Sequence, residues 1–146
     1  MPIPAGGIVT AGQLARMQPK TYEAVGTNNL VGPVTDGDVP GCSVTLTTTT
    51  AQAVAVVVIA VDFDLTAATT TLGSGRLVVD GVGESKYAVF QQGPGTVSDR
   101  ATCVQTYRVT LATAGTHTLK ITATAPTGML ITGVYTSLAA TVYEVV

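Results

Sequence analysis

Hydrophobic and polar positions alternate along most of this chain. Val44, Leu46 and Thr48 take one parity and Ser43, Thr45 and Thr47 the other. That period of two predicts a half-buried β-strand. Residues 52–65, QAVAVVVIAVDFDL, are apolar at both parities as far as Asp62. A strand reads this way when both of its faces are covered. One face is assigned to the domain core, the other to a second layer or a subunit interface. Residues 75–91, GRLVVDGVGESKYAVFQ, predict a hairpin whose turn begins at Asp80-Gly81. Residues 104–125, VQTYRVTLATAGTHTLKITATA, predict another. Tyr107, Val109 and Leu111 point inward, and Thr106, Arg108 and Thr110 outward. ATAG makes the turn, and Leu119, Ile121 and Ala123 return against them with Thr118, Lys120 and Thr122 outside. APTG at 125–128 breaks the chain. MLITGVY and SLAATVYEVV then supply two strands, or one with a bulge near Gly133. TAATTTLGS (66–74) and QGPGTVSD (92–99) are loops of small residues.

The first 40 residues differ, being rich in Gly and Pro. Inside them Thr10 and Gln13 have the spacing of a capping box, in which the hydroxyl and the amide satisfy backbone donors reciprocally. Leu14 and Met17 lie three apart, and Ile8 or Val9 can act as a hydrophobic staple. Pro19 stops the helix. A helix of about 10–18 is predicted, two turns long and too short to persist alone. It must dock, on its own domain or on another protein. The expected division is an anchoring arm over 1–40 and a β-sandwich over 41–146.

Seven to nine strands without an intervening helical period predict an all-β, antiparallel sandwich. A jelly-roll-like arrangement is preferred. An immunoglobulin-like sandwich is second, and the chain has no Trp to pack on its cysteines. Composition sharpens this. With 146 residues, 46% of them hydrophobic, the chain can bury one core. Only 11% are charged, less than half the usual quarter, so threonine hydroxyls or partner subunits must cover the rest of the surface. The net charge is −2 and basic residues are scattered, which argues against nucleic acid. The run AVAVVVIAV is too short to span a membrane. The N-terminus has neither the basic flank nor the apolar stretch of a secretory signal, which predicts synthesis in the cytosol.

Reactive groups are few. Cys42 and Cys103 read as two small buried hydrophobes rather than a disulfide. His117, the one histidine, reads as a surface or interface residue beside a turn. One His and two distant Cys do not furnish a zinc site. The carboxylate pairs Asp36/Asp38, Asp62/Asp64 and Asp80/Glu84 fit turns and strand ends better than a calcium cage. A glycan-cleaving cleft needs aromatic walls, and aromatics are 5% of this chain. No Gly-rich loop opens a helix to cradle phosphate. The expectation is no enzyme, no metal and no cofactor.

The run RATCVQTYRVTLATAGTHTLKITATA with the closing SLAATVYEVV resembles small β-sandwich virion proteins of tailed phages, especially those of actinobacteria. IPAGGIVTAGQLARMQP resembles the short leader of phage head and tail appendage proteins, with Ala15 where those carry Asn. Together the two stretches span about half the chain, and their motifs are structural. The resemblance implies a virion surface location, a homotrimer, and a major capsid or other virion protein as partner. It implies capsid decoration, as a minor capsid or head-fibre protein, or alternatively a tail-associated receptor-binding module. Ile8, Val9, Leu14 and Met17 are the candidate docking residues of the arm. Gln92, Pro94, Thr96 and Ser98 are the candidate exposed binding loop.

Overall fold

In a computed structural model of the chain, residues 7–91, 96–97 and 99–144 are described. The helix forms as α1 (Ala11–Met17) with the capping box intact: Gln13 N–H donates to Thr10 Oγ1 at 3.2 Å, and Thr10 N–H to Gln13 Oε1 at 2.9 Å. Pro19 follows, and the chain then enters β-structure.

Among the described residues, eleven strands make two antiparallel layers. The first layer contains β1 (Lys20–Val25), β2 (Leu30–Val31), β4 (Ala53–Leu65), β8 (Arg100–Leu111), β10 (Met129–Ile131) and β11 (Ser137–Tyr143). β4 pairs with β8 on one side and with both β11 and β10 on the other. β1 lies beyond β11, and β2 beyond β10. The layer is therefore four strands wide, in the order β1/β2, β11/β10, β4, β8. The second layer holds β3 (Val34–Thr48), β9 (Gly115–Ala125), β5 (Gly73–Val79), and beside β5 both β6 (Val82–Gly83) and β7 (Ala88–Phe90). With β1/β2 and β10/β11 each counted as one interrupted strand of the first layer, the chain passes from one layer to the other at every step except within β5–β6–β7. This is the strand order of a jelly roll.

The core lies between the layers. Alternate residues of β4, from Ala53 through Val57, Ile59 and Phe63 to Leu65, face Leu46, Leu77, Leu119 and Ile121 of the opposite layer, all buried. Phe63 stacks on Phe90 across the gap, with ring centroids 5.8 Å apart. Gly73 is required here, because a Cβ at this position would lie 2.3 Å from Met129 Sδ.

Several sequence expectations are corrected. The arm ends at Pro19, not at residue 40. Lys20–Val25 pairs residue by residue with Val142–Ser137, and β3 begins at Val34. The Gly and Pro residues over 26–41 serve turns and a β-bulge inside the sandwich. The run at 104–125 is not a hairpin: β8 pairs with β4 in one layer and β9 with β3 and β5 in the other. Thr122 lies on the outer face, as its parity predicts, but is buried there between Asp38 and Arg76 of the neighbouring strands, its hydroxyl without a partner among the described residues. Of the two readings of the C-terminal run, two strands rather than one bulged strand hold: a turn of 3-10 helix, Gly133–Tyr135, separates β10 from β11. The hairpin turn at Asp80-Gly81 forms as read, both residues having positive φ (49° and 84°) as a two-residue turn of the favoured twist demands.

Candidate functional site

The strands run between two unlike ends. At one end lie the arm, the 49–52 and 112–114 turns and Glu144; at the other lie residues 66–72, 96–97, 99 and 126–128 and the 3-10 turn.

At the first end the arm is anchored at its root only. Lys20 Nζ donates to Glu144 Oε1 at 2.8 Å. Thr49 N–H donates to Glu144 Oε2 at 2.8 Å, and the Thr49 hydroxyl also bonds that oxygen. Burial works to raise the Glu144 carboxyl, but the hydrogen bonds from Lys20 and Thr49 overcome it and bring the pKa down to about 2. Beyond this clamp α1 buries nothing: Ile8 is 91% exposed and Leu14 55%, with Val9 and Met17 near half. The alternative that the helix packs on its own sandwich does not hold among these residues. Close by, His117 is buried rather than exposed, which corrects the surface reading. It has the parity of Leu119, so it points inward from β9. Its Nδ1 lies 2.7 Å from Asp80 Oδ2 and its Nε2 3.0 Å from the Thr113 carbonyl. The Asp80 hydrogen bond raises the imidazole pKa, against burial. An imidazole buried and bonded at both nitrogens ties the Asp80 turn to the 112–114 turn.

At the opposite end sits a polar cluster that the sequence reading missed. The sequence places Asp62 at a strand end, and the structure buries it there, 3% exposed. Arg100 Nη2 lies 2.7 Å from Asp62 Oδ1, and Thr102 Oγ1 donates to Oδ2 at 2.7 Å. The Arg100 guanidinium also stands 4.4 Å from the centre of the Tyr135 ring, a cation–π contact. Thr136 Oγ1 accepts from Asp62 N–H at 3.1 Å and donates to the Thr132 carbonyl at 2.9 Å. The available signal was an Asp inside an otherwise apolar run with no turn residue beside it. Of the candidate loop residues, Thr96 is exposed and donates to Asp99 from both N–H and hydroxyl. Gln92, Pro94 and Ser98 lie outside the described residues.

Two further carboxylates, Asp36 and Asp38, are ion-paired on the outside of the second layer. Asp36 bonds Arg76 at 3.0 Å, and Asp38 lies 2.8 Å from Lys120 Nζ. Neither sits in a free turn as expected, since both belong to β3. Cys42 and Cys103 are free thiols; Cys42 is buried, and burial pushes its pKa up to about 11. Among the described residues, no three His, Cys, Asp or Glu side chains converge as metal ligands. No helix among them is long and apolar enough to cross a membrane.

No family model matches the chain, and no curated protein matches it. Solved structures share its fold. The dimeric latent PorU of Porphyromonas gingivalis superposes with a TM-score of 0.52 at 10% identity over 86% of this chain. A chain of the T13 IBDV viral particle gives 0.48 at 12% identity over 86% of this chain. The globular domain of zebrafish complement 1qA gives 0.47 at 12% over 88%. This chain spans 13% of the PorU chain, 31% of the IBDV chain and 98% of the complement domain. At 10% identity the likeness to PorU is one of fold alone.

Proposed function

We propose that this protein is a structural component of a phage virion surface, a capsid decoration or head-fibre protein. It docks on the major capsid protein or another virion protein through residues 7–19, assembles as a homotrimer and displays the sandwich outward. It performs no catalytic step and needs no cofactor. The observation that carries the reading is the division of labour between the two ends. A capped helix with Ile8, Val9, Leu14 and Met17 exposed leaves a root clamped by Glu144, and it covers none of its own domain. A seven-residue helix with an apolar side gains its stability by docking elsewhere.

Removing residues 1–18 tests this, since β1 and the Lys20–Glu144 clamp stay in place. The truncated protein is expected to fold with unchanged circular dichroism and to be absent from purified particles. Full loading of the truncated protein would refute the arm's role. A second reading, attachment to the host from the tail, is supported by the distal cluster, where Tyr135 is 59% exposed beside Arg100. It predicts few copies per particle and binding of isolated protein to host cells, which Tyr135→Ala weakens.

A further inference from the structure

The outer face of the first layer carries an inference about the assembly itself. Side chains of one parity from its four strands form rows across the layer. Val25, Ser137, Ala60 and Val104 make one row; Glu23, Ala139, Val58 and Thr106 the next. Thr21, Thr141, Val56 and Arg108 follow, then Tyr143, Val54 and Thr110. Val104 is 60% exposed, and Val25, Val58 and Tyr143 stand open as well. At 4.8 Å between strands and 3.4 Å per residue the face covers on the order of 450 Å². That is comparable to the largest patch on an ordinary monomer, about 300–600 Å², which is often functional.

Two charges lie on this face, and they sit at opposite margins. Glu23 is on β1 and Arg108 on β8, three strand spacings apart, so roughly 14 Å. Within one chain they do not meet. A shallow groove of about 290 Å³ runs beside Glu23, lined by Ala24, Val25, Ser137, Leu138 and Ala139. A surface with a cation at one margin and an anion-rimmed groove at the other is complementary to itself, in a two-fold pair or head to tail, and three copies require the head-to-tail form. Head-to-tail contacts that close make rings.

We infer that this face is the interface between copies of the chain, the β8 margin of one copy seated on the β1 margin of the next around a three-fold axis. Arg108 of each copy then reaches Glu23 of its neighbour, and the valines of β4 are covered. The inference rests on the trimer proposed above and names the surface that makes it. It also brings three arms out at one end of the axis, because each leaves from the start of β1, at the Tyr143 end of the face. Three weak helices then dock together with the gain of multivalency.

The experiment is the solution mass of the full-length protein by light scattering after size exclusion, across about a hundredfold range of concentration. The wild type is expected at three chains. Val58→Glu and Val104→Glu, each with native circular dichroism, are expected at one chain. Arg108→Glu and Glu23→Arg are each expected to raise the concentration for assembly at least tenfold, and the double exchange to restore it. A wild type of three chains that persists in both valine variants overturns the face but leaves the trimer standing. A wild-type monomer or dimer overturns the ring. The virion role is scored separately, by whether the protein with its arm intact loads onto particles, so the two failures are distinguishable.

Discussion

The outer faces of the two layers are built on the same alternation and meet water in opposite ways. Over the second layer, Asp38, Thr122 and Arg76 form one row, with Lys120 paired to Asp38 and Arg76 shared between Asp36 and the Tyr87 hydroxyl. Cations and carboxylates there find partners on neighbouring strands of the same chain. Over the first layer, valines occupy the centre and the two charges stand too far apart to meet. One face is complete by itself. The other is completed by a second surface. Only where β4 ends does the first face become polar, and there Asp62 is buried beneath Arg100, Thr102 and Tyr135. Parity shows which residues point outward; it does not show what they will find there.

The contrast is broken most severely at Asp62. Its carboxylate is almost wholly buried, so removing it leaves the Thr102 hydroxyl and the Arg100 guanidinium without their partner, while the backbone N–H bond from residue 62 to Thr136 Oγ1 stays. Asp62→Ala is expected to cost about 3 kcal/mol in denaturant unfolding, the low end for a broken buried pair because Arg100 can turn toward solvent. A loss below about 1 kcal/mol would mean that the cluster is wet, and that the two faces differ less than argued.

Much of this was legible in the sequence, and what was not has a physical cause. The helix, its cap and its stop were local chemistry, and Thr10, Gln13 and Pro19 announced them. The Asp80-Gly81 turn was local too, because two positive φ values in succession leave few residue types to choose from. Layer membership was not local. Tyr107, Val109 and Leu111 on β8 and Leu119, Ile121 and Ala123 on β9 all point at one core, and a hairpin would show the same inward parity as two strands facing each other across that core. The residues 112–114 between them carry no signal for which of the two they join. The arm boundary failed for a related reason: Gly and Pro over 26–41 read as linker, yet they shape turns between strands already paired. His117 was misjudged because proximity to a turn outweighed its parity with Leu119. The burial of Asp62 depended on Arg100 and Tyr135, distant in sequence, which no local pattern predicts.

A middle-sized effect tests the base of the sandwich, where both layers end. His117 is raised from its ordinary 6.5 by Asp80, so its share of stability is complete below that value and is lost as pH rises through the folded-state pKa. At Asp80 burial acts upward, but the His117 and Thr118 hydrogen bonds prevail and leave it below its ordinary 3.8. Its share is present above that value and is lost as pH falls through the lower folded-state pKa. The pair contributes most between roughly pH 4 and 6.5. Asp80→Asn keeps a residue that tolerates the positive φ. The stability gap between wild type and this variant is expected to be about 1 kcal/mol in that window and to shrink above it. A gap that stays flat from pH 5 to 9 would mean that His117 carries no charge in the folded protein.

The smallest effect belongs to the self-sufficient face, and its smallness is the point. Lys120 Nζ lies 2.8 Å from Asp38 Oδ1, but the Asp38 side chain is 63% exposed and the pair is bathed in high dielectric. Water replaces such a partner at little cost, and holding a long lysine side chain in place consumes much of the Coulomb gain. Lys120→Ala is expected to change stability by less than about 0.5 kcal/mol, and to leave the solution mass untouched. Arg108→Ala, also a single cation removed from an outer sheet face, is expected to weaken assembly while leaving the stability of the isolated fold within the same margin. If Lys120→Ala instead costs more than about 1 kcal/mol or shifts the mass, the second layer's face is also covered in solution. The distinction between a face closed by its own ion pairs and one closed by a neighbour would then fail.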